Sequence, residues 1–330
     1  MRTNRPIVTA NKATRLVMRE PIDATSWAYM KLLREHNDTM KIYDVDPYAE
    51  VYTVRENIWA ILTLSADGMG DSWMYLINGP EKAMLIDTSF GIGDLKGLCR
   101  ELTGGKELYV ANTHTSYDHS YGNCQFDRCY CHKAERPEME TKLNPHIWDY
   151  LFDESGNGKW LRFDRSDIVA YKDYETVYVD DGYTWNLGGD YEIELIWVPG
   201  HKPGHAMFLD KKSRILFAGD DILSMRVGIG KGMQYATVEA YHKEMVKLNA
   251  RTSEFDYILP GHFFLEIESS VVPYFVEASA QILADPKSYD AYEEGTHADG
   301  SIRRTYLKYV TNMGTIGYTD SNIFEPKEAE

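Results

Sequence analysis

The chain has 330 residues, 35 Lys and Arg against 51 Asp and Glu, a formal charge of -16, 43% hydrophobic residues and a mean hydropathy of -0.44. Such a chain can bury a full core as one large domain with appendages. It has no apolar run of about 18 residues to cross a bilayer, and its acidity disfavours nucleic acid, whose binders present basic faces to phosphates. A small neutral or singly anionic molecule is the substrate class that remains.

The start, Met1 to Pro6 followed by Lys12 and Arg15, lacks an apolar segment of the kind that leads a secretory signal, so a cytoplasmic location is expected. Residues 24–37 read as an amphipathic helix with Trp27, Met30 and Leu33 on its apolar side. Strands follow at Tyr52–Val54, Ile58–Leu64, Trp73–Ile77 and Ala83–Asp87, then a helix near Gly93–Leu102 and a strand at Leu108–Asn112.

That last strand delivers the most informative segment, His114-Thr115-Ser116-Tyr117-Asp118-His119. The scheme then repeats, with strands near Thr176–Val179, Glu192–Val198, Ala206–Leu209 and Arg214–Phe217, a helix near Thr237–Leu248 and a short strand Tyr257–Leu259. Three more polar positions sit where Gly or Pro breaks an element: His201 beside Pro199-Gly200, Asp220 after Gly219, and His262 after Pro260-Gly261. Neutral imidazole and carboxylate suit Zn²⁺, and a carboxylate can bridge two cations.

This ordered set, His114 to His119, then His201, Asp220 and His262, resembles the metallo-β-lactamase fold superfamily, nearest in style to its glyoxalase II-like and lactonase-like hydrolases. The resemblance covers about Tyr52 to His262, and Leu85-Ile86-Asp87 is similar to the family's early strand ending in a structural Asp. It implies an α/β fold, an αββα sandwich, with one metal held by His114, position 116 and His201, a second by Asp118, His119 and His262, and Asp220 between them. Position 116 is Ser116 where the family carries His, so the second site is expected to hold its ion more firmly. Three roles stay open for Ser116: weak or water-mediated ligand, substrate-contacting hydroxyl, or remnant of a lost metal site.

The implied activity is metal-dependent hydrolysis, in which water activated by the metal cleaves an ester, thioester, lactone or amide of a small molecule. Catalytic roles are expected for Asp118, Asp220, Ser116 and Tyr117, the last as an oxyanion donor. Zn²⁺ is the expected cofactor, firm in one site, with Fe or Mn as alternatives. Two other readings stand beside it: a non-catalytic or metal-sensing member of the fold, and an iron-dependent oxidoreductase.

The remaining features are read as scaffold or elaboration. His205 is expected to support the site from outside, and His36, His132, His146, His242 and His297 to be structural or solvent-facing. Cys99, Cys124, Cys129 and Cys131 lack zinc-ribbon spacing and read as core thiols. Between Ala134 and Asp173 lies an aromatic insertion, and Arg226 or Lys231 is placed to meet a substrate carboxylate. The division expected is 1–45 as an N-terminal helical extension, 46–265 as the main domain, and 266–330 as a helix plus a tail able to cover a site or join a homodimer.

Overall fold

The computed structural model describes residues 11–16, 24–230, 233–296 and 301–326; Lys231 and His297 lie outside them. Two sheets form its centre. The first has eight strands in the order Glu175–Val179, Arg128–His132, Glu107–Ala111, Lys82–Ile86, Ser72–Asn78, Ile58–Thr63, Asp46–Arg55 and Lys41–Tyr43. The second has six, in the order Thr184–Asn186, Glu192–Trp197, Ala206–Asp210, Ile215–Gly219, Tyr257–Pro260 and Ile267–Glu268.

Side-chain alternation assigns each sheet an inner and an outer face, because successive residues of a strand point to opposite sides. Leu195, Phe208 and Phe217 pack inward against Trp73, Tyr75, Ile77 and Ile86 of the first sheet. Their neighbours Ile196, Met207, Leu209, Leu216 and Ala218 face outward, under helices Val238–Asn249 and Val272–Ala284. On the other side, Val51, Ile61, Met74 and Leu85 are covered by Leu95, Leu98 and Cys99 of helix Leu95–Thr103. Helix, sheet, sheet, helix is the αββα sandwich that the sequence implied.

Two features extend the sequence reading. The helix Val272–Ala284, expected in an appended tail, shares its apolar cluster with Val238–Asn249 and completes the outer layer over the second sheet. The segment after it forms a further sheet with Arg226–Gly228, in the order Arg226–Gly228, Thr315–Tyr318, Ile302–Tyr309 and Ala291–Thr296, where the sequence reading had placed only a tail. In the insertion, Trp148, Leu151, Phe152 and Leu161 make a fourth core cluster with Tyr48, Phe90 and Tyr121, so its large aromatics are packed. All four cysteines are free and buried.

Candidate metal centre

Strand Glu107–Ala111 ends at Asn112, and the chain then turns back on a net of buried amides. Asn112 Nδ2 donates to the His119 carbonyl at 2.9 Å and Asn123 Nδ2 to Asn112 Oδ1 at 2.8 Å, while Thr88 N–H reaches the same His119 carbonyl at 2.9 Å. This fixes both ends of the loop whose side chains matter. Glu135, buried and not foreseen from the sequence, ties that loop to the next one: one carboxylate oxygen accepts Thr115 N–H and the other accepts Gly204 N–H, both at 2.8 Å.

The loops bring the named residues together in two groups. In one, ligand-type atoms of Asp118, His119 and His262 lie within 4.8 Å of one another; in the other, those of His114, His201 and Asp220 do so. Asp220 faces both: Oδ1 is 3.5 Å from His119 Nε2 and from His262 Nε2, and Oδ2 is 3.9 Å from His114 Nε2 and 3.7 Å from His201 Nε2.

The first-named group can be tested against coordination geometry. Zinc–donor bonds of about 2.0–2.1 Å at tetrahedral angles separate the donors by about 3.3–3.4 Å. Here His119 Nε2 and His262 Nε2 are 3.2 Å apart, Asp118 Oδ2 is 3.3 Å from His262 and 3.6 Å from His119, and the Asp220 contacts complete five edges of one tetrahedron. The group fits a divalent ion. The His114 side is looser, and the buried His114 Nε2 has no hydrogen-bond partner. Ser116 caps the short helix Tyr117–Ser120 without a side-chain cap bond.

Each imidazole turns Nε2 inward because its Nδ1–H is held elsewhere, the arrangement that sets tautomer and ring angle in metal sites. His119 Nδ1–H donates to Asp87 Oδ2 (2.8 Å), His262 to the Asp71 carbonyl (2.8 Å) and His201 to the Gly228 carbonyl (2.7 Å). His114 donates to Thr113 Oγ1 (3.0 Å), whose own hydroxyl donates to Asp87 Oδ2 (2.8 Å). His205 serves Asp220 from behind, its Nε2 accepting the Asp220 N–H at 3.0 Å. Gly261 completes the cradle, since a Cβ there would lie 2.5 Å from Asp220 Oδ1.

Electrostatics follow from burial and from these neighbours. Burial, then His119, push the His114 ring well below its ordinary value. For His262 burial acts the same way, but Asp220 and Asp118 outweigh it and hold the ring well above its ordinary value. His119 is likewise carried up to about 9 against its burial, by Asp118, Asp220 and Asp87. Asp220 and Asp118 stay below the usual carboxylate range despite burial, Asp220 through His262 and His119, and Asp118 through His119 and His262. Two ionised carboxylates thus face inward-turned imidazoles at one point.

The wall beside the centre is aromatic. The Tyr117 ring lies 5.6 Å from Tyr121, 5.7 Å from Tyr150 and 6.4 Å from Phe90, with Lys142 Nζ 5.5 Å above it. At the rim Lys202 is paired with Glu138 at 2.8 Å. Arg226, expected to meet substrate, is engaged by Glu293 at 2.7 Å. Among the histidines read as structural, His132 is buried and stacks on Trp197, His146 pairs with Asp149, and His242 bonds Ser279.

Comparison with known proteins identifies the family. A profile described as the metallo-beta-lactamase superfamily matches residues 67–262, more than half of the chain. Acyl-coenzyme A thioesterase MBLAC2 of Bos taurus and of Homo sapiens are each 28% identical over 209 residues, spanning 58% of this chain and 72% of theirs. Two solved structures share the fold. DIM-1 metallo-beta-lactamase has a TM-score of 0.50 at 19% identity over 72% of this chain and 99% of its own. The metallo-beta-lactamase from Pontibacter korlensis has a TM-score of 0.50 at 16% identity over 70% and 99%. The chain is therefore a hydrolase of the metallo-beta-lactamase superfamily.

Proposed function

We propose that this protein hydrolyses a small acyl thioester, with His114, His201 and Asp220 holding one divalent ion and Asp118, His119, His262 and Asp220 the other. The observation that carries the reading is Asp220, whose two oxygens each face one group of imidazoles. The thioester preference comes from the relatives named acyl-coenzyme A thioesterase. Imidazole with carboxylate favours Zn²⁺, with iron or manganese as the alternatives.

The chemistry a bound divalent ion supplies is Lewis-acid polarisation of the carbonyl and acidification of a water. The protein contributes orientation. Asp87, Thr113, the Asp71 carbonyl and the Gly228 carbonyl fix four rings, so little reorganisation accompanies reaction. Asp118 and Asp220 remain ionised and accept the hydrogens of the attacking water. Tyr117 and Ser116, at the open side, offer hydroxyls to the carbonyl oxygen. Water adds to the acyl carbon, the C–S bond breaks, and a carboxylic acid and a thiol leave.

Among the described residues no helix is long and apolar enough to cross a membrane. The proposal is for a homodimeric cytoplasmic enzyme, checked by sedimentation and cell fractionation. The deciding experiment is elemental analysis of purified protein followed by a panel of acyl thioesters, esters, lactones and β-lactams with thiol or acid release as readout. Thioester turnover that chelation abolishes and zinc restores supports the reading; a metal-containing protein inert to thioesters but active on another class refutes the substrate assignment.

A further inference from the structure

His201 differs from the other three imidazoles in how it is held. Its side chain is 24% exposed, against 0% for His114 and His119 and 8% for His262, so packing constrains it least. The Nδ1–H bond to the Gly228 carbonyl, 2.7 Å, therefore carries much of its orientation. Gly228 ends the three-residue strand Arg226–Gly228, whose neighbour in its sheet is the strand Thr315–Tyr318, paired in parallel from Arg226 with Thr315 to Gly228 with Gly317. The acceptor that orients His201 is thus part of a sheet made by the C-terminal segment, which lies outside the stretch matched by the family profile.

One side chain closes the arrangement. Asn322, 2% exposed, donates from Nδ2 to the carbonyls of Gly230 (2.6 Å) and Ile229 (3.2 Å), while Gly230 N–H donates to the Gly200 carbonyl (2.8 Å), next to His201. Its own Oδ1 accepts Thr319 N–H at 2.7 Å and its carbonyl accepts Val238 N–H at 2.9 Å, so it is fixed at both ends.

We propose that Asn322 is a positioning residue for the His114/His201/Asp220 metal site: it locks Ile229 and Gly230, and with them the Gly228 carbonyl, against the Gly200–His201 loop. The inference rests on His201 being a ligand. It explains how a site with serine at position 116 keeps its second imidazole in place, because the tail supplies rigidity where a ligand is missing. Asn322 touches neither ion nor substrate. It acts through the His201 ring.

The test is calorimetric titration of Zn²⁺ into the full-length, metal-free protein, comparing the parent with Asn322→Ala and with Thr315→Pro, which deletes the N–H that donates to the Met225 carbonyl at 2.7 Å. The parent should show a tighter and a weaker binding event. Each variant should leave the tighter event unchanged and weaken the other by roughly 10- to 100-fold, the usual cost of losing an outer-shell partner. The tighter event serves as the internal control for folding. Variants matching the parent in both events, or losing both equally, overturn the proposal, and a parent that binds no zinc overturns the metal reading beneath it.

Discussion

Asp87 is the most informative single substitution in this molecule. It is buried at the end of strand Lys82–Ile86 and accepts three hydrogens: Thr113 N–H at Oδ1, and Thr113 Oγ1–H and His119 Nδ1–H at Oδ2, each at 2.8 Å. Through Thr113 it also aligns His114, so one carboxylate orients a ring in each candidate metal group. Asp87→Asn keeps the shape but offers only one accepting oxygen to three donors. Whichever way the amide turns, at least one buried donor loses its partner, costing about 1–3 kcal/mol of stability. Orientation of His119 and His114 suffers at the same time, so zinc affinity should fall roughly 10- to 100-fold in both groups, equivalent to about 1.4–2.8 kcal/mol each. Competition with a chromogenic chelator reads the affinity and urea unfolding reads the stability. A variant with parental zinc affinity at both positions would refute the reasoning, since it would mean that ring orientation does not depend on this carboxylate.

Further predictions concern the centre and the core. His262→Ala removes one corner of the tetrahedron, so thioester turnover should drop by more than the roughly 10- to 100-fold typical of outer-shell changes, with the circular dichroism spectrum unchanged; turnover within a few-fold of the parent counts against the assignment. Ser116→His should raise bound zinc from about one equivalent towards two after dialysis, measured by elemental analysis, and no gain would mean the residue is not beside an ion. Asp46, 1% exposed, has its carboxyl pushed up to about 7 by burial, with Asp94 adding to the rise and the Tyr48 N–H opposing it. Because the folded value lies above the unfolded one, the folded protein holds an extra proton between about pH 4 and 7, and stability falls as pH rises through that window. Asp46→Asn should therefore be more stable than the parent by about 2–4 kcal/mol at pH 8 and by much less at pH 4; parallel stability curves for the two proteins would exclude this.

Much of the candidate site was legible because its residues are concentrated in short local motifs at strand ends, where Gly and Pro break the chain next to His201, Asp220 and His262. Most strands and helices of the sandwich were legible too, Glu192–Trp197 and Val238–Asn249 among them. What escaped was carried by atoms that every residue owns. The Asp71 and Gly228 carbonyls orient two rings, yet a carbonyl leaves no mark in the sequence. Glu135 was hidden among charged residues, and only the fold shows it bonding both ligand loops. The sheet of the C-terminal segment was missed because Ile302–Tyr309 alternates only in its second half, and because Arg226–Gly228 is three residues long with a partner far along the chain. The packing of Val272–Ala284 beside Val238–Asn249 in one layer was not legible for a related reason: neither helix announces its neighbour.

The parallel pairing of Arg226–Gly228 with Thr315–Tyr318 has a consequence for synthesis on the ribosome. Chains fold from the N-terminal side as they emerge, and contacts distant in sequence close last. All six metal-binding candidates are synthesised before the strand Thr315–Tyr318 that pairs with Arg226–Gly228. On the reading proposed above, Asp118, His119, His262 and Asp220 would be able to take up an ion while the His201 side still lacks the strand that pairs beside Gly228.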